Sequence, residues 1–244
     1  MTLSVNHPFS FPVISWQPED HEDLTSRLVD GAAKLRTDVK GAVLSHAWRN
    51  VGSREMFEPQ SDEEYAKHGY SSYKSGVSLF DAPWLEIFEP LHKAAFQACY
   101  RYIRETPWDK PDADLENLGM LNHSWVSVYG DGHFIPEHVH TDSHISWVFY
   151  GASNEDSGHI IFRHPAAPVF RMSYQEDAEM FYETFKMPPT VGSFIVFPSF
   201  MQHFTEQHFG DEDRIIYSGN FVFRSSVTGH GTAYRMTRVA KDEP

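Results

Sequence analysis

The chemistry-bearing residues of this chain are concentrated in two stretches. Residues 130–151 read GDGHFIPEHVHTDSHISWVFYG, and four of the fifteen histidines fall between His133 and His144. In an extended chain, alternate side chains share a face. An extended segment 138–144 would therefore carry His138, His140, Asp142 and His144 together. Three imidazoles and a carboxylate at i, i+2 spacing suit a metal ion, because two ligands from one strand reach the same centre. Residues 188–203 (PPTVGSFIVFPSFMQH) supply a turn, a strand, a Pro-Ser break and then His203. A break at the end of a strand places His203 at a sheet rim, where the chain can turn inward. Two imidazoles and a carboxylate from His140, Asp142 and His203 would hold an ion from one side and leave positions open, as non-haem Fe(II) sites do. Arg214 opens the next β-type run, RIIYSGN, and offers a planar, permanently charged fork that suits a carboxylate. Isolated histidines such as His7, His21, His68, His92 and His230 read as structural or solvated residues.

Composition limits what such a site can serve. Lysine and arginine number 20 against 34 aspartate and glutamate, a formal net charge of -14 over 244 residues. That balance argues against a nucleic-acid partner, which is held through clustered cations on phosphates. With 41% hydrophobic and 15% aromatic residues, the chain has the material for a substantial core. The single cysteine, Cys99, excludes an internal disulfide framework and a multi-cysteine zinc site. No apolar run approaches a membrane span, and the first residues lack a basic segment followed by an apolar one. A cytoplasmic protein acting on a small molecule, away from membranes, is expected. Its oligomeric state is not legible.

The elements that must position these residues fall into two halves of one expected domain spanning 1–244. Residues 1–119 read as a helical or mixed flank. Leu24, Leu28, Ala32 and Leu35 recur at helical spacing over 20–37, and Leu85, Phe88, Leu91, Ala95 and Cys99 do so over 83–104. Pro90 predicts a kink or break in the second helix. From 120 to 225 short runs rich in Val, Ile, Phe and Tyr (123–129, 144–151, 158–164, 192–198 and 213–223) alternate with turn residues. This pattern predicts an α+β, mainly β chain: a double-stranded β-helix, or jelly roll, with the N-terminal helices covering one sheet. Residues 226–244 read as a C-terminal tail. The segment 165–187 is longer than a hairpin needs and reads as a lid over the substrate or an insertion on the rim.

The region 123–223 resembles the Fe(II)- and 2-oxoglutarate-dependent oxygenases. It is most similar to a loosely described group with H-x-H, S-x-V-Y-Y, F-R-x-P, P-x-x-G, F-P-S-x-x-x-H and R-I-S followed by Asn. Here these segments read HVHTD, SWVFYG, IFRHP, PTVGSFIVFPSFMQH and RIIYSGN. The resemblance implies Fe(II) as cofactor, 2-oxoglutarate and O2 as co-substrates, and a dioxygenase that releases succinate and CO2. Hydroxylation of an unactivated C–H bond in an amino acid or biosynthetic intermediate is the implied outcome. It assigns the iron to His140, Asp142 and His203, and the distal carboxylate of 2-oxoglutarate to Arg214.

Two departures from the pattern matter. Ile216 replaces the hydroxyl residue that assists the arginine, leaving Ser146, Ser127, Tyr129 or Tyr150 to substitute, and Ser146 and Tyr129 are expected at the cofactor. Members of the group often lack an acid at the position of Asp142, so His138 is an alternative partner for His140. Glu137 and Glu206 are expected to support the metal-bound rings. Trp125, Tyr129, Trp147, Phe149, Tyr150 and Phe200 are expected to form a dry wall around them. A cupin-type metalloenzyme, either a co-substrate-free dioxygenase or an isomerase using His138, His140, His144 and His203, shares the fold and is the alternative.

Overall fold

Helical spacing of the apolar residues gives two long helices, α1 (His21–Asp38) and α3 (Leu85–Glu105). Both start with acids in the first turn and end near an arginine, which matches side-chain charge to the helix dipole. The computed structural model describes residues 11–43, 61–73, 75–105, 118–141, 143–167 and 183–225. Pro90 does not break α3, which is continuous through it. The helices meet closely at Gly31, where a Cβ would stand 2.9 Å from the Phe88 ring.

Ten strands complete the described fold. They are β1 (Ile14–Trp16), β2 (Ala42–Val43), β3 (Tyr70–Ser71), β4 (Leu118–Tyr129), β5 (Ile145–Ala152), β6 (Ile160–Arg163), β7 (Thr184–Met187), β8 (Phe194–Pro198), β9 (His203–Thr205) and β10 (Arg214–Ser225). A short helix, α2 (Asp62–His68), precedes β3. The major sheet runs β1-β8-β5-β10-β4-β3-β2 and the minor sheet β7-β6-β9, with antiparallel pairing throughout. This is the jelly roll flanked by helices that the sequence predicts. The flank contributes more than helices, because β1, β2 and β3 extend the major sheet at both edges. β7 and β9, three or four residues each, are too short to register in the pattern. Much of the 165–187 segment, and the tail 226–244, lie outside the described residues; the last part of that segment forms β7.

Both faces of the major sheet are covered, which is why β5 and β8 read as continuous apolar runs rather than alternating ones. Ile145, Trp147, Phe149, Phe194, Val196 and Tyr217 face the helices and pack with Leu28, Phe88 and Leu91. Their neighbours Val148, Tyr150, Ile195, Phe197 and Ile216 face the minor sheet and pack with Ile160, Phe162 and Met201. β10 lies at the centre, pairing with β4 on one side and β5 on the other. A bulge between Ile215 and Ile216 shifts its register against β5, one residue from Arg214. Bulges of this kind re-aim side chains beside a site.

Gly219 in β10 is required by packing, since a Cβ there would lie 2.5 Å from the Trp147 ring. That ring is 1% exposed and stacked on Phe80, with nowhere to retreat. Gly219→Ala is expected to cost about 1–3 kcal/mol through overpacking. A urea unfolding midpoint equal to that of the wild type would contradict this.

Candidate metal and co-substrate site

The site begins with a main-chain pairing. His138 N–H donates to the His203 carbonyl at 2.9 Å, and His203 N–H donates to the His138 carbonyl at 3.0 Å. Residues joined in this way across an antiparallel pair project side chains to the same side. The two rings accordingly lie 4.2 Å apart, centroid to centroid. His140, two residues on from His138, has its N–H on the Ser199 carbonyl at 2.9 Å. Its ring sits 5.1 Å from that of His138 and 5.2 Å from that of His203. Each of the three rings offers a nitrogen, and the three nitrogens lie within 4.8 Å of one another.

The expected strand break does the positioning. β8 in the major sheet ends at Pro198, residues 199–201 turn, and His203 opens β9 in the minor sheet. The chain thus crosses between sheets where the two histidine-bearing segments meet. The expected extended run 138–144 holds only in part. His144 N–H turns away to the Phe221 carbonyl, and its side chain is exposed. His144 therefore stands outside the histidine cluster, contrary to the four-histidine arrangement. Asp142 lies outside the described residues.

Burial sets the protonation of the rings. It pushes His138 down to about 4, against the opposing pull of its hydrogen bond to the Pro136 carbonyl. Burial, then the neighbouring His138 and His123, pushes His140 down to about 3. His203 is held well below its ordinary value by burial, followed by His138 and His140. All three are neutral at pH 7, the form that ligates a metal. Nδ1 of His138 lies 2.8 Å from the Pro136 carbonyl and Nδ1 of His203 2.8 Å from that of Met201. A carbonyl only accepts, so Nδ1 carries the proton and Nε2 keeps the lone pair. Glu137 and Glu206 do not take the expected supporting role. Glu137 pairs with Arg163, and Glu206 pairs with His159 and Lys186. The main chain does their work.

Between the sheets a cleft holds about 450 Å³ of non-protein space, including its open mouth. Trp125, Tyr129, Tyr150 and Trp147 line it with the three histidines, as the expected dry wall requires. Phe149 instead belongs to the helix-side core, and Phe200 is 53% exposed. Arg214 is fully buried, and none of its three side-chain nitrogens has a hydrogen-bond partner among the described residues. Its guanidinium lies 5.0 Å from the Tyr129 ring and 5.6 Å from the Tyr150 ring, and the Tyr150 hydroxyl is also unpartnered. A buried cation without an anion is costly unless a ligand completes it. Tyr129 lies directly opposite Arg214 in the β4–β10 register.

Ser146 does not join Arg214. It pairs with Asn220, six residues further along β10 and about 20 Å away at strand rise. Its hydroxyl meets Ser199 and Asn220 instead. Ser127 is likewise engaged with Ser71. Tyr150 is the hydroxyl placed to replace the one missing at Ile216, which it faces across the β5–β10 pairing. Asn220 is the site neighbour to which the sequence assigns no role. Its even spacing from Arg214 (214, 216, 218, 220) already places it on the same inward face.

Residues 123–220 match the family model described as "Putative 2OG-Fe(II) oxygenase". No curated protein matches the chain in sequence. Among solved structures, a prolyl-4-hydroxylase from Pseudomonas putida is 13% identical, with a TM-score of 0.52 over 87% of this chain and 94% of that one. A prolyl hydroxylase from Trichoplax adhaerens, in complex with a hypoxia inducible factor peptide fragment, is 11% identical, with a TM-score of 0.54 over 86% and 83%. AviO1 from Streptomyces viridochromogenes Tue57 is 12% identical, with a TM-score of 0.54 over 86% and 89%. At these identities the likeness is one of fold. No described helix is long and apolar enough to cross a membrane.

The depressed histidines make the metal-free protein sensitive to acid. In the unfolded chain each ring takes a proton near its ordinary value of 6.5, whereas the folded rings of His138 and His140 stay neutral to about 4 and 3. Between those values the unfolded state binds more protons, so stability must fall as pH falls. The urea midpoint of the metal-free protein is expected to drop from pH 7 to pH 5. A midpoint that is flat or rises over this range would contradict the burial argument.

Proposed function

We propose that this chain, whose residues 123–220 match the 2OG-Fe(II) oxygenase family model, binds Fe(II) through His138, His140 and His203 and 2-oxoglutarate through Arg214. The family works with Fe(II), 2-oxoglutarate and O2, and the donor set fits such an ion. Three neutral imidazoles converge from one side, which leaves coordination positions for co-substrate and O2. The sequence reading placed Asp142 in the triad with His138 as the alternative. The convergence of the His138 ring with His140 and His203 supports His138, while Asp142 lies outside the described residues.

The single observation that carries the co-substrate assignment is the orphaned Arg214. Its guanidinium is buried 5.0 Å from the Tyr129 ring and 5.6 Å from the Tyr150 ring, and both tyrosines line the cleft together with the three histidines. A dicarboxylate reaching from the cluster toward Arg214 would receive two charge-assisted hydrogen bonds there. The Tyr150 hydroxyl, raised above its ordinary value by burial against the opposing charge of Arg214, stays protonated and can donate a third. When bound, Fe(II) with 2-oxoglutarate and O2 supplies an oxidation in which the co-substrate leaves as succinate and CO2 and one oxygen atom goes to the substrate. The protein's own part is to orient and to exclude water. Trp125, Ile135 and Phe197 wall the cleft with hydrocarbon, so a bound substrate's C–H bond is held away from solvent. Hydroxylation of a small molecule, an amino acid or biosynthetic intermediate, is the outcome we propose. The cupin-type alternative loses support, because His144 stands outside the cluster and that chemistry has no use for an unpaired buried arginine.

Purified protein with Fe(II) and 2-oxoglutarate is expected to form succinate, and His203→Ala to abolish both metal binding and turnover. Arg214→Met is expected to raise the KM for 2-oxoglutarate at least roughly 30-fold, the equivalent of about 2 kcal/mol for a buried charge pair. It should leave Fe(II) affinity near that of the wild type. Unchanged KM in Arg214→Met would reject the assignment of Arg214.

A further inference from the structure

The three cluster histidines are not held alike. In His138 and His203, Nδ1 meets a main-chain carbonyl, so no side chain is needed to choose the tautomer. In His140, Nδ1 lies 3.4 Å from the side-chain amide of Asn220. An amide carries an acceptor at one end and donors at the other, so its orientation decides which ring nitrogen keeps a proton. That orientation is held from the far side. The Asn220 amide meets Ser146 Oγ at 2.9 Å, and Ser146 Oγ meets Ser199 Oγ at 2.8 Å. Ser146 is 2% exposed and Ser199 fully buried, so both links are shielded from bulk solvent. The chain of contacts closes on itself, because the Ser199 carbonyl accepts the His140 N–H.

We propose that Asn220, steered by the Ser146–Ser199 hydroxyl pair, is a positioning residue that selects the His140 tautomer able to ligate a metal. This rests on the reading of the histidine cluster as a metal centre. Ligation through Nε2 requires a proton on Nδ1, which Oδ1 of Asn220 must accept. In the structure the amide presents Nδ2 to His140 and Oδ1 to Ser146, the orientation matched to the other tautomer. A half-turn of the amide reverses this. Ser146 loses nothing by it, since its hydroxyl can donate to Oδ1 or accept from Nδ2 with equal ease, passing its own proton to Ser199 in the second case. The amide and the ring therefore switch together, and metal binding draws the pair to one side.

The test is Co(II) titration of the full chain, read by calorimetry, with 15N spectra of the histidine rings in the Zn(II)-loaded protein. Asn220→Leu keeps the bulk and removes the acceptor, and it is expected to weaken Co(II) binding about 10–100-fold. Asn220→Asp restores an acceptor and is expected to bind Co(II) near the wild-type level, with the His140 proton on Nδ1. Ser146→Ala is expected to weaken binding in the same direction by less, and it carries the test if Asn220→Leu fails to fold. Wild-type affinity in a folded Asn220→Leu, or in Ser146→Ala, overturns the proposal. His203→Ala separates the two levels of inference. If it abolishes Co(II) binding while Asn220→Leu does not, only the role of Asn220 falls. If it binds Co(II) as the wild type does, the metal centre falls and the proposal with it.

Discussion

The paired main-chain hydrogen bonds between His138 and His203 are the constraint on which this molecule turns. They join the loop after β4 in the major sheet to the first residue of β9 in the minor sheet, at the mouth of the jelly roll. Two imidazoles 65 residues apart in sequence are thereby set face to side without help from any other side chain. The period of an extended chain then adds His140, and a backbone carbonyl orients each of the two bridged rings. The convergence of the rings follows from how the two sheets are stitched together.

The same architecture explains how the interior tolerates a cation. The major sheet is covered by helices on one face and by the minor sheet on the other, so residues 214–217 of β10 are all buried, whichever way they point. Residues at 215, 217 and 221 serve the helix core. Ile216 and Ser218 line the cleft, and by alternation Arg214 and Asn220 share their side of the strand. Arg214 is consequently buried, and the aromatic faces of Tyr129 and Tyr150 offset part of the cost. Among the described residues no side chain hydrogen-bonds the guanidinium, the situation in which a buried charge is costly.

Charged residues elsewhere serve structure. Arg163 ties Glu137, next to His138, to Glu183 at the start of β7, and Glu206 gathers Lys186 and His159 across the minor sheet. His208, fully buried between Ser157 and the Glu212 carbonyl, is satisfied on both ring nitrogens. These pairs hold the strands that carry the site and leave the cleft itself to histidine, arginine, tyrosine and hydrocarbon.

Local pattern alone determined a good deal. Leu24 to Leu35 and Phe88 to Cys99 specify their helices, because a 3.6-residue period needs no distant partner. The apolar runs specify β5, β8 and β10, and the Pro198–Ser199 break specifies the turn into His203. Tertiary structure decided what depends on pairing between distant segments. His138 joins the cluster and His144 leaves it because one bonds to His203 and the other to Phe221, a choice that alternation along 138–144 cannot make. Glu137 and Glu206 find cations rather than histidines, since the register of β6 against β7 and β9 brings Arg163, Lys186 and His159 to them. Ser146 and Arg214 both face inward, yet strand register sets Ser146 against Asn220, six residues along β10 from Arg214. Spacing reports which face a residue occupies, while its neighbours on that face are set by register and by the crossing of sheets.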